Sequence, residues 1–123
     1  VYDSHSKSIL KAQDVLFQQM DAMQKLPEGN TTIGCIVTNA KLDKAQCTKI
    51  AGIAHNGYAR AIHPVHTMSD GDSIFVLSSG EVEVMLDAVG MLATEMMAQA
   101  IKRAVLHAKA AYGLPAHCDI VCK

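Results

Sequence analysis

Thr32 to Thr38, TIGCIVT, constrains this chain more than any other stretch. It is β-branched and largely apolar on both alternating faces, the pattern of a strand covered from two sides. Only one other segment reads as a strand, Ile74 to Ser79 (IFVLSS), closed by Gly80. Two strands do not make a stable sheet amid so much apolar helix. Further strands are therefore expected from elsewhere, and the lack of an initiator methionine at Val1 supports reading the chain as a piece of a longer one.

Around the strands the spacing predicts helices. From Ser8 to Leu26, the residues Ile9, Leu16, Phe17, Met20 and Met23 recur at helical intervals until Pro27. After the first strand, Asn39 and Ala40 form a short connection, and Asp43-Lys44-Ala45-Gln46 reads as a capping box: Asp43 accepts from first-turn amides and Gln46 reaches back. The helix it opens buries Cys47, Ile50, Ala51, Ala54, Tyr58, Ala61 and Ile62, and Pro64 ends it.

From Val82 to Tyr112 the chain is rich in Ala, Met, Val and Leu, with Asp87, Glu95, Gln99, Lys102 and Lys109 on a narrow polar stripe. That pattern predicts a helix covered on most sides. At 1.5 Å per residue it reaches on the order of 45 Å, so a kink near Gly90 or burial against other chains is expected. Gly113 and Pro115 terminate it. The fold class is α/β (α+β), the chain supplying about two strands and two to three helices.

Half of the 123 residues are apolar, enough for the core of a single domain. The net charge is -1 with both signs interspersed, so no basic stripe suits nucleic acid. No apolar run approaches the roughly 18 residues of a membrane span, and VYDSHSKSILK lacks a signal-like region, so a cytoplasmic protein without membrane contact is expected. Cys35, Cys47, Cys118 and Cys122 are then reduced thiols, with Cys35 and Cys47 at positions suited to small buried hydrophobes. His117, Cys118 and Cys122 lack the spacing of a zinc site, and no metal or cofactor is expected. Met85, Met91, Met96 and Met97 read as core filling.

Two stretches carry candidate chemistry. Asp70-Gly71-Asp72 places carboxylates on either side of a glycine just before the second strand. A turn capped by Asp70 accounts for it structurally. As a pair, close carboxylates repel when both ionise, so one holds its proton near neutrality and the two can orient a hydroxyl nucleophile. His63, His66 and Thr67 precede them, but no G-x-S-x-G elbow exists to complete a hydrolase triad, and Ser69, Ser73, Ser78 and Ser79 lack a motif. In the second stretch, Glu28 to Gly34 (EGNTTIG), Gly29 and Asn30 suit a turn because both tolerate positive φ. Asn30-Thr31-Thr32 also spells a glycosylation sequon, a chance match without a secretory signal.

Together with TNAKL, AHNGYARAI and PVHTMSDGD, these stretches make Gly29 to about Leu114 similar to the C-terminal part of the self-processing aminopeptidases. That family includes L-aminopeptidase D-Ala-esterase/amidase, the β-peptidyl aminopeptidases and the nylon-oligomer hydrolase. Residues 1–28 match loosely, and HCDIVCK has no counterpart. The resemblance implies an αββα sandwich like that of N-terminal-nucleophile hydrolases but differently connected. Residues 1–30 would close an upstream α-chain segment, and residues 31–123 would form a β-chain-like catalytic segment.

It further implies a cut between Asn30 and Thr31, with Thr31 as the new N-terminus and nucleophile. The acids fall on Asp70 and Asp72, as in the nylon-oligomer hydrolase branch; other branches carry Ser-x-Glu there. The expected partners are the upstream α-chain segment of the same precursor, which would hold the oxyanion groups, a peptide or small amide substrate, and further copies in a homo-oligomer of cleaved heterodimers.

The chemistry explains why the cut comes first. An internal threonine has only an amide nitrogen, which is no base, whereas a free α-amine has a reference pKa of about 7.7–8.0 and takes the hydroxyl proton. Two other readings stand beside the hydrolase. The glutamate N-acetyltransferases of arginine synthesis resemble this family and pass the acyl group to an amine, and an unprocessed or inert fragment would not turn over at all.

Overall fold

The computed structural model describes residues 2–3, 5–18 and 31–121. They divide into two units, Gly29–Ile101 and a second formed by Val1–Glu28 with Lys102–Lys123. The helical positions expected after Gln18, the turn at Gly29 and Asn30, and Cys122 lie outside the described residues.

At the N-terminus, strand β1 (Tyr2–Asp3) pairs antiparallel with β2 (Ser8–Ile9), and helix α1 follows (Ala12–Gln18). The helix expected from Ser8 therefore starts four residues later. The cause is a local turn: the Asp3 carboxylate accepts from the amides of His5 (3.0 Å) and Ser6 (3.1 Å), and Lys7 adopts a left-handed φ of 51°. Hydrogen bonds from the Ser6 side chain and these amides hold the Asp3 carboxyl below its ordinary pKa.

The other unit contains strand β3 (Ile33–Ala40), helix α2 (Lys44–Ala61), strand β4 (Ser73–Val82) and most of helix α3 (Leu86–His107). β3 and β4 run parallel, with Ile33 opposite Ser73 and Thr38 opposite Ser78, and α2 lies between them in sequence. The strand does not close at Gly80. That glycine takes a φ of 78°, the register shifts, and pairing resumes with Ala40 opposite Val82. A left-handed glycine bends a strand without ending it, and here it lets the Lys41 amide reach the Val82 carbonyl at 2.7 Å.

Strand alternation decides which side is covered. Ile36, Ile74 and Val76 pack on the core formed by Ala40, Ile50, Ala54, Val89 and Ala93. Ile33, Val37, Phe75 and Leu77 point the other way and are each 59–77% exposed. The strand read as buried on both faces is thus covered on one, and Cys35, expected inside, sits on the open face. The reason is that both helices of this unit supply apolar side chains to the same side of the sheet.

The capping box is present in full: Asp43 Oδ1 accepts from the Gln46 amide at 2.7 Å, and Gln46 Oε1 accepts from the Asp43 amide at 2.9 Å. Ile50, Ala54 and Tyr58 are buried as expected, while Cys47, Ala51, Ala61 and Ile62 are half-buried. Where α2 meets α3 the residues are small. A Cβ on Gly57 would stand 2.6 Å from the Thr94 carbonyl oxygen, and one on Gly90 would stand 3.0 Å from Ile53. The buried Thr94 hydroxyl lies 3.1 Å from the Ile53 carbonyl across this crossing and 3.0 Å from that of Gly90.

α3 begins at Leu86, because Val82 is taken by β4, and ends at His107. Val89, Gly90, Ala93, Thr94, Met97 and Ala98 are buried, but Met91, Leu92 and Met96 are exposed. Within the described residues this helix is covered along one stripe, not on most sides, and only Met97 of the four methionines fills core. Beyond it, Tyr112 and Gly113 take left-handed turns, and α4 (His117–Val121) is capped by Asp119, whose carboxylate accepts from the Ala116 amide at 2.8 Å. No described helix is long and apolar enough to cross a membrane.

Candidate active site

Parallel pairing brings the N-terminal ends of β3 and β4 to the same edge of the sheet, so the residues before each strand become neighbours. The Ser73 amide donates to the Thr32 carbonyl at 3.0 Å, and the Thr32 amide donates to Asp72 Oδ1 at 3.0 Å. The two strand mouths are laced together in both directions. Thr31 stands at this edge, its hydroxyl against Gly71: a Cβ added there would lie 2.8 Å from Thr31 Oγ1.

The two carboxylates have different surroundings. Asp70 Oδ2 accepts from the Thr67 amide at 2.6 Å while its own amide donates to the Thr67 carbonyl at 3.1 Å, so it closes the loop on itself. The Asp72 side chain is only 6% exposed and turns inward to Thr32. Its second oxygen lies 3.0 Å from His66 Nδ1, yet that oxygen is buried without an aligned hydrogen bond among the described residues. Asp70 and Asp72 flank Gly71 as the spacing predicts, but share no hydrogen bond.

Beneath the mouth, the Tyr58 hydroxyl lies between the carbonyls of Thr32 (3.3 Å) and Ser73 (3.2 Å), one on each strand. Burial, and secondarily the Asp72 charge, push the Tyr58 pKa up. Gly34 makes room for this phenol, since a Cβ there would stand 2.6 Å from its oxygen. The Tyr58 ring stacks with His66 at 6.2 Å between centroids, and His55 meets both rings edge-on, at 5.3 Å from Tyr58 and 4.9 Å from His66. His55 Nδ1 is buried without a hydrogen-bond partner among the described residues. His66 holds a left-handed φ of 57°.

Sequence reasoning placed Tyr58 on the buried face of α2 but missed its hydroxyl, and it passed over His55. One signal was available: a tyrosine in an otherwise Ala and Ile stripe carries an O–H that must find an acceptor when buried. Asn30, and with it the bond to Thr31, lies outside the described residues. A separate groove of about 450 Å³ runs between β3 and α3, lined by Ile36, Val84, Leu92 and Met96 among others and by none of Thr31, Asp70 or Asp72.

Residues 3–118 match the pattern of peptidase family S58. The chain belongs to peptidase family S58. This S58 chain is 38% identical to an uncharacterized aminopeptidase of Mycobacterium leprae, over 74% of the chain and 29% of that relative. It is 39% identical to one of Mycobacterium tuberculosis, over 74% of the chain and 31% of the relative. It is also 33% identical to the 6-aminohexanoate-oligomer endohydrolase of Paenarthrobacter ureafaciens, over 62% of the chain and 25% of the relative. The S58 chain thus spans under a third of the length of these relatives.

Proposed function

We propose that the S58 protein containing this chain is an amide hydrolase, an aminopeptidase or amidase, whose nucleophile is Thr31 released by self-cleavage. The observation that carries the reading is the Thr31 hydroxyl at the open edge of the sheet, with the next amide held by the buried Asp72 carboxylate. The relatives named as aminopeptidases and as an endohydrolase of 6-aminohexanoate oligomers support amide chemistry.

In maturation the Thr31 oxygen attacks the Asn30 carbonyl carbon. The Asn30–Thr31 C–N bond breaks, the nitrogen takes the hydroxyl proton, and an ester joins Asn30 to Thr31 Oγ1. Water then hydrolyses the ester, giving the Asn30 carboxylate and a threonine with both hydroxyl and free amine. In turnover that amine accepts the hydroxyl proton as oxygen attacks a substrate amide, and passes it to the departing amine. Water resolves the acyl-enzyme. Asp72 fixes the backbone behind the nucleophile and Asp70 fixes the loop that carries Gly71. Each carboxylate binds a backbone amide through one oxygen, Asp70 through Oδ2 and Asp72 through Oδ1, and in this scheme the pair shares a proton through the other two. Upstream residues supply the oxyanion donors in this scheme, and cleaved heterodimers assemble into a homo-oligomer.

Intact mass of the purified protein tests it. Cleavage predicts a species beginning at Thr31, abolished in Thr31→Ala and retained in Thr31→Ser. Turnover of an aminoacyl anilide or a 6-aminohexanoate oligomer should follow the cleaved fraction, with the acyl group passing to water even when an amine acceptor such as glutamate is added. A Thr31→Ala protein that still splits at this bond sinks the mechanism.

A further inference from the structure

We propose that His66 is a positioning residue for the reaction at Thr31: it holds the Asp72 carboxylate in place, and through it the amide that follows the nucleophile. The inference rests on the reading of Thr31 as nucleophile and adds a group that reading does not contain.

The geometry leads from the carboxylate outward. A side chain as buried as Asp72 needs partners for both oxygens. Oδ1 has the Thr32 amide. Among the described residues Oδ2 has no aligned donor, and His66 Nδ1 stands 3.0 Å away. Asp70, the partner that spacing suggests, places its Oδ2 on the Thr67 amide and shares no hydrogen bond with Asp72. An imidazole carries a proton on Nδ1 either as the cation or in one neutral tautomer, so it donates to Oδ2 after a small rotation of the ring.

The placement of His66 is over-determined. Its ring is stacked on Tyr58 and edge-on to His55, contacts that keep the imidazole beside the Asp72 carboxylate. Its backbone takes a φ of 57°, which histidine adopts less readily than asparagine or glycine. Glycine keeps the left-handed backbone but loses both the ring contacts and the N–H, so asparagine against aspartate is the comparison that isolates the donor.

Three variants separate these roles in the cleaved, full-length protein. Asparagine keeps an N–H donor at the Nδ1 position and tolerates the left-handed backbone; aspartate has the same shape and tolerance but presents an oxygen to Asp72. His66→Asn should retain most of kcat. His66→Asp and His66→Gly should each lose on the order of tenfold or more in kcat, the scale of a nucleophile displaced by a fraction of an ångström, with KM changed by less than about twofold. Self-cleavage, followed by intact mass, should rank the variants in the same order.

The inference is overturned if His66→Gly matches wild type, or if His66→Asp is as active as His66→Asn. If His66→Gly fails to mature, the Asn and Asp pair decides alone. Thr31→Ala, measured in parallel, keeps the two proposals apart: retained turnover there removes the nucleophile reading, whereas an inactive Thr31→Ala with insensitive His66 variants removes only this one.

Discussion

Gly71→Ala puts one methyl group against the proposed nucleophile and little else. The added carbon would sit 2.8 Å from Thr31 Oγ1, with the threonine Cγ2 and Cβ at 3.7 and 3.8 Å, so the hydroxyl alone is crowded. An ordinary carbon–oxygen approach is about 3.3–3.6 Å, so the oxygen must retreat by roughly half an ångström or turn to another rotamer. Misplacing a reacting atom by about 1 Å costs on the order of 100-fold, and half of that on the order of tenfold, about 1.4 kcal/mol of barrier. Gly71 is exposed and its φ lies outside the left-handed region, so alanine should leave stability unchanged or raise it by up to about 1 kcal/mol. The assay is a time course of self-cleavage by intact mass, with turnover and chemical denaturation on the same preparations. Slower cleavage and turnover at undiminished stability is the expected result. Wild-type rates for Gly71→Ala would refute the placement of the Thr31 hydroxyl.

Gly52→Ala and Gly57→Ala, on the same helix, should move stability in opposite directions. Nothing lies within 4 Å of a Cβ at Gly52, which should gain about 0.5–1 kcal/mol with rates unaltered, whereas Gly57→Ala presses on the α3 backbone at 2.6 Å and should lose about 1–3 kcal/mol; urea unfolding reads both. Tyr58→Phe removes a hydroxyl that spans two strand carbonyls and should cost about 1 kcal/mol at neutral pH. Because burial raises the Tyr58 pKa, its neutral form stabilises the fold fully below the free-tyrosine value of about 10, and that contribution fades as pH rises through the folded value. The stability gap between wild type and Tyr58→Phe should therefore narrow above pH 10 in unfolding curves taken across the alkaline range.

Helix α2 was legible in the sequence at both ends because its signals are local: Asp43 and Gln46 cap each other three residues apart, and Pro64 stops the helix. β4 was not. A glycine such as Gly80 serves equally to end a strand or to bend one, and the choice depends on the Lys41 amide, about 40 positions away, needing the Val82 carbonyl. The first helix failed for a similar reason. Ile9 fits a helical interval, but the Asp3 carboxylate folds the chain back before any helix forms. At the site, Thr31 and Asp70-Gly71-Asp72 stood out as residues, while their directions did not. Spacing of two says nothing of partners, and the contacts of Asp72 are Thr32, far back in the chain, and His66 in a loop whose left-handed backbone has no sequence signature.

The lacing at the strand mouths bears on how such a protein could be made. The contacts that hold this edge run from Thr32 onward: its amide to Asp72, its carbonyl to Ser73 and Tyr58. None of them uses the bond that precedes Thr31. A polypeptide synthesised with this threonine at its start would meet the same anchors. Among the described residues, the grip on this edge starts at Thr32 and leaves the threonine before it as the loose end.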